Sequence, residues 1–145
     1  MRAILPRLSL LVPLLAPLLL AGCMNQSTSY TMDGNDHGIT LIVTQDYFWS
    51  KQAALRVVAS RLPECQRQFD LGKTPLDDLN VELFSTGEEK FLLRSGEEMW
   101  QVETQGCSQT GAPAGDVQAQ PIGVFHFDGN KKLVFEAAEG AVATR

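Results

Sequence analysis

Residues 85–107 read STGEEKFLLRSGEEMWQVETQGC, and the triplet Gly-Glu-Glu occurs in them twice, at Gly87 and at Gly96. The triplets separate three short runs, 79–85, 90–94 and 99–105, each rich in large apolar or β-branched residues. Short runs cut by glycine corners read as strands of an antiparallel meander. In the second pair the register follows from the side chains. If 95–98 is a four-residue loop, Arg94 faces Met99, Leu93 faces Trp100 and Phe91 faces Val102, so Phe91, Leu93, Trp100 and Val102 share one side. The first pair is ambiguous: Val81 and Leu83 favour the core face with a three-residue loop, Phe84 with a four-residue one. Successive turns of a meander lie at opposite ends, so Glu88 and Glu89 stand about 15 Å from Glu97 and Glu98. One cation cannot bridge that gap, and two carboxylates per corner fall short of a calcium or magnesium shell. The glutamates are expected to be solvated corners.

The N-terminal stretch belongs to a different kind of structure. Arg2 and Arg7 precede an apolar run at 8–20 that is broken by Pro13 and Pro17. That run is too short and too proline-rich for a membrane span but suits a secretory signal peptide. It ends in Leu20-Ala21-Gly22-Cys23, which resembles the lipobox of bacterial lipoproteins. The resemblance covers only this export segment. It implies cleavage before Cys23, diacylglyceryl attachment to its sulfur and acylation of the new amino group. Two or three acyl chains anchor a protein stably where one binds only marginally. In that family the residues after the cysteine sort the protein. Met24 and Asn25, in place of the Asp of an inner-membrane retention signal, point to the outer membrane.

Removal of 1–22 leaves one domain's worth of chain. The 12 basic residues then lose Arg2 and Arg7, leaving ten against 17 acids, a formal charge of −7. Such a balance argues against nucleic acid as a partner. With Cys23 assigned to lipid, Cys65 and Cys107 remain as an even pair in an oxidising compartment, where a disulfide is expected. A metal site is poorly supported, since the pair has neither a nearby His nor a CxxC partner.

Elsewhere the chain alternates between clear and unclear signals. Residues 24–38, MNQSTSYTMDGNDHG, read as a flexible polar tether, with His37 unpartnered inside it. The β-branched run 39–44 reads as a strand. In 52–62, Ala54, Leu55, Val58, Ala59 and Leu62 fall at helical spacing and Pro63 closes the segment, which predicts a helix. Tyr47, Phe48 and Trp49 ahead of it are expected in the core. Gly72 and Pro75 mark 69–78 as a loop, and 106–122, with two prolines and three glycines, as a long exposed one. Residues 124–127 and 132–135 flank Asp128-Gly129 as a hairpin.

These readings predict an α+β fold: one main helix packed on a mainly antiparallel sheet of five or six strands, with one disulfide. The expected divisions are a signal peptide at 1–22, a lipidated cysteine and tether at 23–38, a globular domain at 39–136 and a frayed tail at 137–145. No P-loop, GxGxxG or HExxH motif occurs, and any Ser/His/Asp proposal rests on His126, which alternation places opposite the face of Phe125 and Phe127. The expectation is therefore no catalytic residues, no cofactor and no metal. The expected function is that of a membrane-anchored periplasmic lipoprotein acting through protein–protein contacts in envelope organisation or assembly. Its partners would be the membrane, through Cys23, and an envelope protein. The alternative is a binder or inhibitor of a small ligand or an envelope hydrolase, with 106–122 as its working surface.

Overall fold

The computed structural model describes residues 23–140. The expected export segment, 1–22, lies outside them, as do the last five residues of the expected tail. Among the described residues every regular element is a strand: β1 (Met24–Thr31), β2 (His37–Gln45), β3 (Gln52–Arg61), β4 (Cys65–Pro75), β5 (Asn80–Gly87), β6 (Lys90–Ser95), β7 (Glu98–Glu103), β8 (Ser108–Thr110), β9 (Gln120–Phe127) and β10 (Leu133–Ala137). The α+β expectation is thus overturned, and the layer assigned to a helix is a second sheet.

The correction has its origin in 52–61. A nearly continuous apolar run fits a period of 3.6 and a period of 2 equally well. The chain takes the second: Ala53, Leu55, Val57 and Ala59 are buried, while Ala54, Arg56, Val58 and Ser60 are only partly so. Two facts favour the strand. The adjacent β-branched Val57 and Val58 lose rotamer freedom in a helix but pack well on a pleat. The neighbouring β2 also presents Ile39, Leu41 and Val43 directly opposite Ala59, Val57 and Leu55, giving one continuous apolar face.

The expected tether is also a strand. Met24, Gln26, Thr28 and Tyr30 are half-buried and alternate with exposed Asn25, Ser27, Ser29 and Thr31. All eight residues pair with β2, from Met24 opposite Gln45 to Thr31 opposite Gly38. The alternation is carried by polar residues, so a hydrophobic pattern cannot disclose it; only Met24 and Tyr30 supply apolar bulk.

One sheet is the meander β1-β2-β3-β4, and the other has the order β10-β9-β5-β6-β7-β8, every neighbouring pair antiparallel. Segment 111–119 carries the chain back from β8 so that β9 pairs with β5. The two sheets enclose a core that includes Ile39, Leu41, Leu55, Val57, Leu83, Leu93, Val102 and Phe125, all essentially inaccessible to solvent. Burial of each large side chain contributes about 1.5–3 kcal/mol.

Bulges explain the segments that looked irregular. Between Leu55 and Arg56 the pairing with β4 skips a residue, and Gly72, at φ +89°, takes the positive angle this requires. Pro75 ends β4, the outermost strand of its sheet, where a missing N–H costs no ladder bond. A second irregularity, between Ser85 and Gly87, settles the ambiguous hairpin. Gly87 pairs with Lys90 across Glu88 and Glu89, Leu83 meets Leu93 in the core, and Phe84 turns outward under the Arg94 guanidinium, 5.0 Å from its ring centroid. The β6–β7 register is the one expected, Arg94 opposite Met99 and Phe91 opposite Val102.

Candidate functional site

Antiparallel pairing places the connections in two groups, at opposite ends of the sandwich. One end gathers 32–36, 62–64, 88–89 and 104–107, together with the start of β9 and the end of β10. Here the sheets are tied across. The expected disulfide is formed: Cys65, opening β4, joins Cys107 in the β7–β8 turn, over a separation of 42 residues. His37 Nε2 and Thr104 Oγ1 share a hydrogen bond of 2.8 Å, with Thr104 wholly buried. The guanidinium of Arg61, closing β3, donates to the Glu89 carboxylate at 2.7 Å.

Beyond these ties, on the β1 side, the sandwich opens. Gln26 holds the two outermost strands together, donating from Nε2 to Lys131 O at 2.9 Å and accepting from Leu133 N at 2.8 Å. Past it β1 and β10 border a cleft of about 1500 Å³ that runs to the tied end. Its apolar floor is aromatic: Tyr30 lies with its ring centroid 5.4 Å from that of Phe135 and 6.2 Å from that of Phe91. Gly123 makes room for this arrangement, since a Cβ there would sit 2.5 Å from Phe135 Cζ and 2.3 Å from Glu136 O. Burial pushes the Tyr30 phenol above its usual range. The Thr86 hydroxyl, on the residue displaced by the β5 irregularity, is buried without a partner beside the same cleft. Asp33, Glu88, Glu89 and Glu139 line it against Arg61 and Lys90, so its rim is acidic.

The residues singled out in the sequence fall in different places. Glu88 and Glu89 border the cleft while Glu97, in the β6–β7 turn, and Glu98, opening β7, sit at the other end, as the meander requires. Glu89 is more than a wet corner, because it holds Arg61. His37 is not loose in a tether: its side chain is largely buried, and Thr104 fixes it. His126 contacts Glu136 Oε2 at 3.0 Å and Phe127 O at 3.1 Å, and neither partner is a Ser, Thr or Cys. Among the described residues no group of three or more His, Cys, Asp or Glu is arranged to hold a metal ion. Cys23 lies at the end away from the cleft, its Sγ 3.0 Å from Asp46 O.

Tyr47, Phe48 and Trp49, expected in the core, are instead 57%, 66% and 67% exposed in the β2–β3 turn. With 52–61 a strand, they lose the helix that would have folded them inward. Tyr30, His37, Arg61 and Thr104 were missed as a group. Each comes from a different strand or strand end, and only the pairing of β1 with β2 brings the first two to the cleft. No family model, no curated protein and no solved structure matches the chain.

Proposed function

We propose that this chain is a lipid-anchored lipoprotein of the bacterial envelope, probing the periplasm from the outer membrane, and that it acts by holding a segment of another protein in the cleft between β1 and β10. The lipobox-like Leu20-Ala21-Gly22-Cys23 and the residues after it support the anchor and its address. The observation that carries the contact role is the cleft. At about 1500 Å³ it exceeds the span of about 300–1,000 Å³ usual for small-molecule sites. It is bordered by the outermost strand of each sheet, and such edges offer backbone N–H and C=O groups to an extended chain. An aromatic floor supplies apolar contact, and the acidic rim favours a segment bearing Lys or Arg.

The test is a photo-crosslinking residue placed at Ser29 or Gln120 in the cleft, with Glu97 at the opposite end as control. Discrete protein adducts in intact cells are expected from the first two positions only. Adducts from Glu97 alone, or from none of the three, would remove the contact role. Separately, Cys23→Ser is expected to release the protein from the membrane fraction. A variant that stays there would remove the anchor.

A further inference from the structure

The β2–β3 turn carries the largest exposed aromatic side chains of the described residues, and it stands beside Cys23. Tyr47 and Trp49 are stacked with ring centroids 5.1 Å apart, and Phe48 meets Trp49 edge-on at 4.7 Å. The three rings are supported by one another and by the turn, not by the core. The Ser50 N–H donates to Tyr47 O at 2.9 Å, and the Gln45 side-chain amide donates to Ser50 O at 2.6 Å. An exposed apolar cluster held in one shape is an interaction surface.

The surroundings point to its partner. Met24 is already paired with Gln45, so no slack separates Cys23 from the sheet, and its Sγ touches the residue preceding Tyr47. Acyl chains on Cys23 would enter a bilayer within about 10 Å of the three rings. Trp and Tyr favour the headgroup level of a bilayer, where an apolar ring face and a polar tip are both accommodated. Lys51 and Lys73 flank the turn, Lys73 Nζ lying 4.0 Å from Asp46, and Lys131 and Lys132 stand beyond Gln26. Against these four lysines the same end sets Asp46, Asp77, Asp78, Glu97, Glu98 and Asp128, so the aromatic rings and not net charge single out the bilayer. Asp77 and Asp78 follow Leu76, whose N–H donates to Lys51 O at 2.9 Å, and Glu98 lines a small cavity together with Lys73, so these exposed carboxylates stand among the lysines.

We infer that Tyr47, Phe48 and Trp49 insert at the headgroup level of the membrane that holds Cys23. The β1–β2–β3 corner then seats on the bilayer, and the tied end of the cleft faces away, about 30 Å above it along the nine residues of β2. This inference rests on the lipid-anchor reading and adds to it a fixed orientation that a flexible tether would not give.

The test uses the mature lipidated protein in vesicles of phosphatidylethanolamine and phosphatidylglycerol, doped with phosphatidylcholine brominated near the headgroup end of its acyl chains. The chain has two tryptophans, so Trp100→Phe leaves Trp49 as sole reporter, and Trp49→Phe leaves the partly buried Trp100. Trp49 is expected to emit at shorter wavelength on the vesicles and to lose about half of its emission to the bromines, with Trp100 little changed. Protein that floats with the vesicles while Trp49 stays unquenched overturns the docking and leaves the anchor standing. Protein that does not float overturns the anchor, and the docking with it. A blue shift of Trp49 that needs only raised protein concentration, without bromine quenching, assigns the rings to a second copy and also overturns the docking.

Discussion

At the cleft end, a disulfide, a buried hydrogen bond and an ion pair cross from one sheet to the other; at the Cys23 end, among the described residues, the side-chain bonds that cross come from Gln26, and the exposed aromatic rings pack on one another. Both ends are built from turns of the same ten strands. The difference lies in where cross-links are concentrated. A cleft between two sheets keeps its shape only if the sheets cannot slide, and the ties adjoin it. A turn that projects into a headgroup layer needs a fixed tip but no link between sheets. Rigidity is therefore located at the end proposed to select a protein segment, and exposed apolar surface at the end proposed to meet lipid.

The contrast is broken most directly at the disulfide. Cys65 and Cys107 close a loop with a separation of 42 residues, for which the chain-entropy model gives about 4 kcal/mol. Replacing both by Ser should lower the stability measured by urea unfolding by about that amount. The matched triple variant, Tyr47→Ser, Phe48→Ser and Trp49→Ser, should leave it within about 0.5 kcal/mol because those rings support no core. If the tip variant proves the more damaging of the two, the division between a tied end and a free end is wrong.

The next effect in size is expected at His37. His37→Phe keeps a ring in place but leaves the Thr104 hydroxyl buried without a partner, at a cost of about 1–3 kcal/mol. Adding Thr104→Val removes the orphaned hydroxyl and should recover part of the loss, a coupling that a double-mutant cycle isolates. If the two effects simply add, the side chains do not act as a tie.

How much of this was legible depended on which residues carried each pattern. The β6–β7 register could be worked out because Phe91, Leu93, Trp100 and Val102 are large and alternate strictly, so only one alignment puts them together. The disulfide followed from counting cysteines once Cys23 was set aside. Strand β3 was lost because 52–61 is apolar on both faces at its centre, where Val57 and Val58 are adjacent and two periods fit. Strand β1 was lost for the opposite reason, since Thr28 and Gln26 face inward without being apolar. The cleft was beyond reach from the sequence for the same cause. Tyr30 and His37 belonged to a segment read as tether, and Arg61 and Thr104 meet their partners only when the two sheets come together.

Glu103 offers the finest test of the tied end, through pH. Its carboxylate accepts hydrogen bonds from the Gly106 N–H at 2.8 Å and the Ser108 N–H at 2.9 Å, bracing the turn that carries Cys107. The Gly106 bond, assisted by Ser108, holds the carboxyl below its usual range against the opposing effect of burial. The sign follows from linkage. Between the lowered folded pKa and the ordinary unfolded one, the unfolded chain binds more protons, so stability rises with pH there. The contribution is complete above the ordinary carboxylate range and is lost as pH falls through that range toward the folded pKa. Glu103→Gln removes this titration and leaves the other groups in place. The stability difference between the parent and Glu103→Gln should therefore be greatest near neutrality and shrink on acidification. Because Glu103 is partly open to solvent, the effect should be smaller than that at His37. A difference that is flat with pH, or that widens in acid, would mean that the turn is held by the disulfide alone and that the carboxylate adds nothing to the tie.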